Sequence, residues 1–328
     1  MAQLLEVENL RVGYTEGDRE IAVVEDVSFT LAEGESLCIV GESGSGKSVT
    51  ALAVLGLLPR PLEVIGGSIR LRGRELRGAP EKELRAIRGK DVAMVFQDPM
   101  SSLNPVRRVG DQIGRAILAH RPRTPRAQVR AQVEEILVRV GIAEPRERMR
   151  SYPHEWSGGM RQRAVIGMAM ANDPAVLLAD EPTTALDVTV QAQVVQVLAD
   201  QRAATGAAMV MITHDLGLVA QIADRVAVMY AGRFVETGTV WDVFDDPRHP
   251  YTRGLLDSLL TAQNLGARAY AIPGSPPSVH GRPDGCPFAP RCGSPLRTDA
   301  CAEGRPTLEL LTPGHAAACT PLTAMVDA

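Results

Sequence analysis

Eight consecutive residues, Gly41-Glu42-Ser43-Gly44-Ser45-Gly46-Lys47-Ser48, fit the pattern G-x-x-x-x-G-K-[ST]. The chemistry of that pattern is phosphate binding. Backbone N–H groups cradle phosphate oxygens, the lysine meets the terminal phosphates, and the last hydroxyl is a Mg²⁺ ligand. Lys47, Lys82 and Lys90 are the only lysines among 35 basic residues, so arginine serves almost everywhere else. A compact ammonium is kept where a point charge must touch phosphate. A second chemical group is Asp180-Glu181, adjacent carboxylates that follow the apolar run AVLLA. Unpaired burial of both is costly. A Mg²⁺ ion beside Asp180 removes the problem and leaves Glu181 to orient or deprotonate water attacking a γ-phosphate. The competing reading is a solvent-exposed acidic turn ahead of Pro182.

Four further positions carry weaker signals, each with two readings. Gln97 ends an apolar run and either touches Mg²⁺ or the attacking water, or caps a strand. Ser157-Gly158-Gly159 at a helix start either offers N–H donors to an anion or is an ordinary N-cap with glycine neighbours. His214 follows the apolar run AMVMI and is either a γ-phosphate contact or a structural histidine. Tyr14, just after the first strand, either stacks on a nucleotide base or packs.

These groups need a scaffold that brings strand ends together. Ser36–Val40 reads as a short buried strand and residues 48–58 as a helix stopped by Pro59, so the loop joins strand to helix. Residues 1–35 alternate as a small antiparallel sheet, and Gly66-Gly67 and Gly73 punctuate short strands. Residues 80–88 read as a charged helix. Runs 91–96, 175–179, 208–212 and 225–230 read as buried strands, and residues 161–171 and 188–202 as helices. Residues 98–155 lose the strand signal and form a helical insertion, with apolar spacing clearest over residues 128–140. Its arginines (Arg107, Arg108, Arg115, Arg121, Arg123, Arg126 and Arg130) make either a solvated helix face or a contact for RNA or anionic lipid.

A length of 328 residues predicts about two domains, and 45% hydrophobic residues supply a packed core. A formal charge of −4 gives no global basic footprint for nucleic acid. The N-terminus lacks a basic region before an apolar core, and no run of 18 apolar residues occurs, so neither signal peptide nor membrane span is expected. A cytoplasmic chain is expected, reaching a membrane only through partners. Cys286, Cys292, Cys301 and Cys319 crowd the C-terminal region with separations x5, x8 and x17, unlike a zinc ribbon or ferredoxin run. In a reducing compartment metal binding outranks disulfides, with free thiols or disulfides as the alternative.

Taken in order, the 41–48 motif, Gln97, Ser157-Gly158-Gly159, Asp180-Glu181, Ala185-Leu186-Asp187 and His214 resemble the ATPase subunit of an ABC transporter over roughly residues 3–260. The resemblance implies a P-loop NTPase (RecA-like) α/β core at 1–98 and 165–246, with an antiparallel β subdomain and a helical subdomain at 99–164. It implies that Tyr14 stacks adenine, Lys47 binds β- and γ-phosphates, and Ser48, Gln97 and Asp180 hold Mg²⁺. Glu181 is then the general base and His214 the γ-phosphate sensor, with Asp187 among the nucleotide-site residues. A head-to-tail dimer is implied, Ser157 and Gly159 of one subunit closing on ATP held by the other. Trp156 and Met160 depart from the usual leucine and glutamine flanking the signature. The pieces HPYTRGLL, IPGSPP and GCPFAPRC, then Cys301 and PGH before Cys319, are similar to the C-terminal extension of oligopeptide, dipeptide and nickel importer ATPases, here 247–328. That extension implies a [4Fe–4S] cluster on the four cysteines, with Zn²⁺ as alternative. Implied partners are a second ATPase subunit, two transmembrane permease subunits touching the helical insertion and residues 97–104, and an extracytoplasmic solute-binding protein, with no nucleic acid. The chain would sit on the cytoplasmic face of the membrane and drive peptide uptake. The alternatives are nickel or another small solute as cargo, or a soluble ABC ATPase acting on nucleic acid or ribosomes.

Overall fold

A computed structural model of the chain describes residues 3–184, 186–258, 271–295, 297–319 and 321–322. Strands β1 (Gln3–Glu16), β2 (Arg19–Ala32) and β3 (Ser36–Val40) lead to helix α1 (Lys47–Val54). Next come β4 (Glu63–Leu71), β5 (Arg74–Glu75), α2 (Glu81–Ile87) and β6 (Val92–Val95). A helical stretch follows: α3 (Pro99–Ser102), α4 (Val109–His120), α5 (Arg126–Arg139), α6 (Pro145–Arg148) and α7 (Gly158–Ala169). Then β7 (Val176–Asp180), α8 (Val188–Thr205), β8 (Ala208–Thr213), α9 (Leu216–Ile222), β9 (Arg225–Tyr230) and β10 (Arg233–Thr239) alternate. The chain continues through α10 (Val240–Asp245), α11 (Pro250–Asp257), β11 (Glu309–Thr312) and β12 (His315–Ala317). Among the described residues no helix is long and apolar enough to cross a membrane.

Two compact units divide the chain. One is built mainly on Leu71–Ile212. In it β6, β7 and β8 run parallel, Val95 pairing Ala179 and Asp180 pairing Ile212. All five residues of β7 are buried, which is why its sequence is an unbroken apolar run rather than an alternation. The run ends on Asp180, so the pairing that hides the strand carries the carboxylates to its C-terminal edge. Helix α5 buries Val129, Val133, Ile136 and Leu137 at helical spacing. Helix α4, which the sequence reading did not single out, buries Val109, Ile113 and Ile117. Gly110 and Gly114 mask its helical signal, yet an added Cβ at 110 would lie 2.6 Å from the Met149 carbonyl. Those glycines are there for close packing.

The second unit is built on Glu6–Thr30, Leu37–Arg70 and Thr213–Ala328. Strand β3 pairs in parallel with β9, while β10 runs antiparallel to β9, β12 to β10 and β11 to β12. A second sheet places β1 between β2 and β4. Two sequence expectations need correction here. The first helix ends at Val54, not Leu58: the Leu57 N–H donates to the Leu52 carbonyl and the Gly56 N–H to the Ala53 carbonyl, a Schellman stop with Gly56 at φ 60°. The Gly66-Gly67 pair does not end a strand, because β4 runs through it. An added Cβ at Gly67 would lie 2.4 Å from the Asn9 carbonyl, so the glycine marks where β4 approaches β1.

Candidate functional site

In the Leu71–Ile212 unit, Glu181 leaves the end of β7 with φ 45°, a left-handed conformation uncommon outside glycine. Its N–H donates to the Ile212 carbonyl at 2.9 Å, extending the β7–β8 pairing by one bond. The Gln97 Nε2 donates to Glu181 Oε2 at 3.0 Å and the Thr184 hydroxyl to the same oxygen at 2.8 Å. Two neutral donors on one oxygen fix the carboxylate's direction without cancelling its charge. With Nε2 donating to Glu181, Oε1 is the acceptor end of the Gln97 amide. Asp180 is buried at 6% exposure. The amide oxygen of Gln97 and the carboxylate of Asp180 are hard donors of the kind Mg²⁺ selects, so these residue types fit that ion.

The same unit holds the Ser-Gly-Gly segment at the start of α7. Ser157 is the N-cap, its hydroxyl accepting from the Met160 N–H at 3.3 Å. Gly159 is buried, and an added Cβ would lie 2.4 Å from Val190 Cγ1. Trp156 is buried to 2% exposure with no hydrogen-bond partner for its indole N–H among the described residues. Asp187 caps α8, its side chain accepting from the Val190 N–H at 3.0 Å. Ala185 lies outside the described residues. Elsewhere in this unit Arg107, Arg108, Arg115, Arg126, Arg130 and Arg150 line one cavity of about 600 Å³, with Asp111 the lone acid.

In the second unit the 41–48 loop joins β3 to α1. Gly41, Gly44 and Gly46 take φ values of 151°, 78° and 107°. Ser43 and Gly44 are exposed, whereas Ser45 and Lys47 are buried. Lys47 Nζ donates to the carbonyls of Gly41 at 2.8 Å and Glu42 at 2.9 Å, and lies 3.5 Å from Ser45 Oγ. The ammonium is folded onto its own loop, where its charge is satisfied. The Ser45 carbonyl accepts from the Gly232 N–H at 2.8 Å. His214, exposed, precedes α9, whose N-terminus is capped by Asp215. The Tyr14 hydroxyl, at a half-buried position, lies 3.2 Å from His280 Nε2.

Cys286, Cys292, Cys301 and Cys319 line one small cavity together with His249 and Phe288. Among the described residues no group of three or more His, Cys, Asp or Glu side chains has the arrangement to hold a metal ion. The expected cluster or zinc therefore finds no support in this arrangement: the four thiols line one cavity without forming a coordination sphere. Burial raises the Cys286 thiol pKa and pushes that of Cys319 up to about 11. The sequence reading did not find Thr184 as a donor to Glu181, nor the contacts that Tyr251, His280 and Arg291 make with positions 42 and 14. No local pattern announces contacts across such separations.

Residues 24–184 match the ABC transporter family, and residues 235–301 match the C-terminal region of the oligopeptide/dipeptide transporter family. The dipeptide transport ATP-binding protein DppD of Bacillus subtilis is 47% identical over 320 residues, 97% of this chain and 95% of that protein. The chain belongs to the ATP-binding subunits of ABC transporters. The oligopeptide transport ATP-binding protein OppD of Salmonella typhimurium is 48% identical to this ABC subunit over 96% of the chain and 93% of its own length. OppD of Mycobacterium tuberculosis is 52% identical over 97% of the chain, which spans about half, 52%, of that longer relative. The ATP-binding cassette MJ0796, in a dimeric post-hydrolysis state bound to ADP and Pi, superposes with TM-score 0.65 at 26% identity, covering 72% of this chain and 99% of its own. The α/β architecture is thus that of the ABC ATPase cassette, a P-loop NTPase fold.

Proposed function

We propose that the chain is the ATP-hydrolysing subunit of an importer for oligopeptides or dipeptides. The observation that carries this reading is Glu181, held at a strand end in a left-handed backbone conformation with its carboxylate aimed by Gln97 and Thr184. A base so fixed is positioned before substrate arrives. In this reading the loop N–H groups of Gly41, Ser43, Gly44, Ser45 and Gly46, with Lys47, hold the β- and γ-phosphates, exchanging the lysine's loop carbonyls for phosphate oxygens. Tyr14 stacks the adenine. Ser48, Gln97 and Asp180 hold Mg²⁺, which when bound neutralises charge on the phosphates. Glu181 takes the proton of the water whose oxygen forms the new bond to the γ-phosphorus as the bond to the ADP oxygen breaks. His214 contacts the γ-phosphate. Ser157 and Gly159 close on nucleotide bound by a second ATPase subunit, of this or a different chain, and Gly158 and Asp187 belong to the nucleotide site. Two transmembrane permease subunits receive the motion, and a solute-binding protein delivers cargo, placing this chain on the cytoplasmic face of the membrane.

The names and the C-terminal match of the relatives support peptides as cargo over nickel, and support no role on nucleic acid. The four cysteines would hold a [4Fe–4S] cluster or, as the alternative, zinc, chemistry that thiolates supply once deprotonated. Replacing Glu181 with Gln keeps both hydrogen-bonding shape and volume while removing the base. The expected result is an ATP-loaded chain with steady-state phosphate release reduced at least a hundredfold, on the order of what a general base contributes. Phosphate release at the native rate from Glu181→Gln would refute the assignment.

A further inference from the structure

One ion pair joins the phosphate loop to the cysteine-bearing segment. Arg291 directly precedes Cys292, in a short 3-10 turn, Ala289–Arg291. Its Nη1 donates to Glu42 Oε2 at 2.7 Å and its Nη2 to Glu42 Oε1 at 3.0 Å, the parallel fork in which guanidinium and carboxylate match best. Its Nε donates to the Pro273 carbonyl at 2.8 Å, and Nη1 also reaches the Tyr230 hydroxyl at 3.3 Å. The guanidinium carbon lies 5.8 Å from the Tyr230 ring centroid and 6.0 Å from that of Phe288. At 8% exposure the side chain has little freedom to leave. The hydrogen bonds to Glu42 hold the guanidinium firmly in its charged form.

Glu42 is the second residue of the loop, and each of its polar parts is occupied. Its carboxylate is taken by Arg291, its N–H donates to the Tyr251 hydroxyl at 2.9 Å, and its carbonyl accepts from Lys47 at 2.9 Å. Burial pushes the Tyr251 phenol well above its ordinary range, so the hydroxyl is present at every physiological pH. A carboxylate in a loop that binds phosphate is an electrostatic liability, because like charges a few ångströms apart repel strongly in a partly desolvated site. Arg291 cancels that charge and holds the carboxylate in a two-bond fork.

We infer that Arg291 is a positioning residue for nucleotide binding: by neutralising Glu42 and fixing the loop backbone, the cysteine-bearing C-terminal segment sets the loop's affinity for the nucleotide's phosphates. The inference rests on the ATP-binding reading above. It distinguishes itself from a packing role by its sign in a double variant. Arg291→Met removes the packing and strands the carboxylate. Glu42→Gln with Arg291→Met has the same packing loss but no stranded charge.

The test is equilibrium binding of Mg²⁺–ATP to the full-length chain and its variants. Arg291→Met is expected to weaken binding roughly tenfold, the scale of one charge-assisted hydrogen bond. Glu42→Gln/Arg291→Met is expected to return to within about threefold of native, and the loss in Arg291→Met to shrink as salt is raised. Native-like affinity in Arg291→Met, or equal weakness in the single and double variants, overturns the inference. If Arg291→Met does not fold, Arg291→Lys carries the test. It keeps the charge but loses the fork, so it should weaken binding about threefold with Glu42 present and not at all with Gln at 42. Equal loss in both backgrounds overturns the inference. A native chain that binds no ATP would instead overturn the ATP reading itself.

Discussion

Gly158 and Gly159 are adjacent in sequence and in the first turn of α7, yet the structure predicts opposite outcomes for their replacement by alanine. At Gly158 the nearest atom to an added Cβ is Leu186 Cδ2 at 3.5 Å, an ordinary contact. At Gly159 it is Val190 Cγ1 at 2.4 Å, more than an ångström inside contact distance. Val190 is β-branched and lies in the first turn of α8, where the Asp187 cap holds its N–H, so it has no easy retreat. Overpacking of this kind costs about 1–3 kcal/mol, and alanine's better helix propensity returns up to about 1 kcal/mol. Gly159→Ala should therefore lower stability by about 1–2 kcal/mol, while Gly158→Ala stays within about 0.5 kcal/mol of native or gains slightly. Truncating Val190 to Ala removes the clashing methyl, so the Gly159→Ala/Val190→Ala chain should be more stable than the sum of its singles by about 1–2 kcal/mol. Urea unfolding followed by fluorescence suits the test, because Trp156 is buried next to the signature and one of only two tryptophans. A Gly159→Ala chain as stable as Gly158→Ala, or additive losses in the double variant, would refute the steric argument.

Two further outcomes follow from the site. Thr184→Val removes one of the two donors on Glu181 Oε2 at nearly constant volume. It should slow phosphate release by roughly threefold to thirtyfold with ATP affinity unchanged, since a base loose by a fraction of an ångström loses part of its orientation; an unaltered rate would mean that Gln97 alone fixes the carboxylate. For the cysteine cavity, the proposed cluster requires that anaerobic purification yield roughly four irons with matching acid-labile sulfide per chain, lost on Cys286→Ser. Zinc in place of iron would favour the alternative ion, and neither metal would leave four thiols.

The strands and turns that carry the candidate site were legible because their patterns are local. The phosphate loop is eight contiguous residues, and β7 is an apolar run that must end where its carboxylates begin. β9 occupies the residues the sequence predicts, since a strand buried on both sides has a continuous signature. What failed to show were features set by distant backbone. Gly66-Gly67 reads as punctuation until β1 is seen against it, and α4 is obscured by glycines that serve packing. Thr184 and Arg291 carry no motif: one is a common residue in a turn, and the other meets Glu42 across 249 positions. Along the chain the arginines of the helical stretch read either as a solvated face or as a contact for RNA or anionic lipid. In space, six arginines surround one cavity.

The turn between β9 and β10 gives the loop a wider dependence than its motif suggests. Ala231 and Gly232 both take positive φ, 47° and 85°, as a tight hairpin of the favoured hand requires. The Gly232 carbonyl accepts from the Glu25 N–H while its N–H donates to the Ser45 carbonyl. Eight residues can be copied into another strand–helix unit, but the shape they hold here is partly written by a turn, a phenol and a guanidinium far along the chain. A transplanted loop would carry the pattern without the instructions for its conformation, so an engineer borrowing this loop would have to borrow residues 232, 251 and 291 with it.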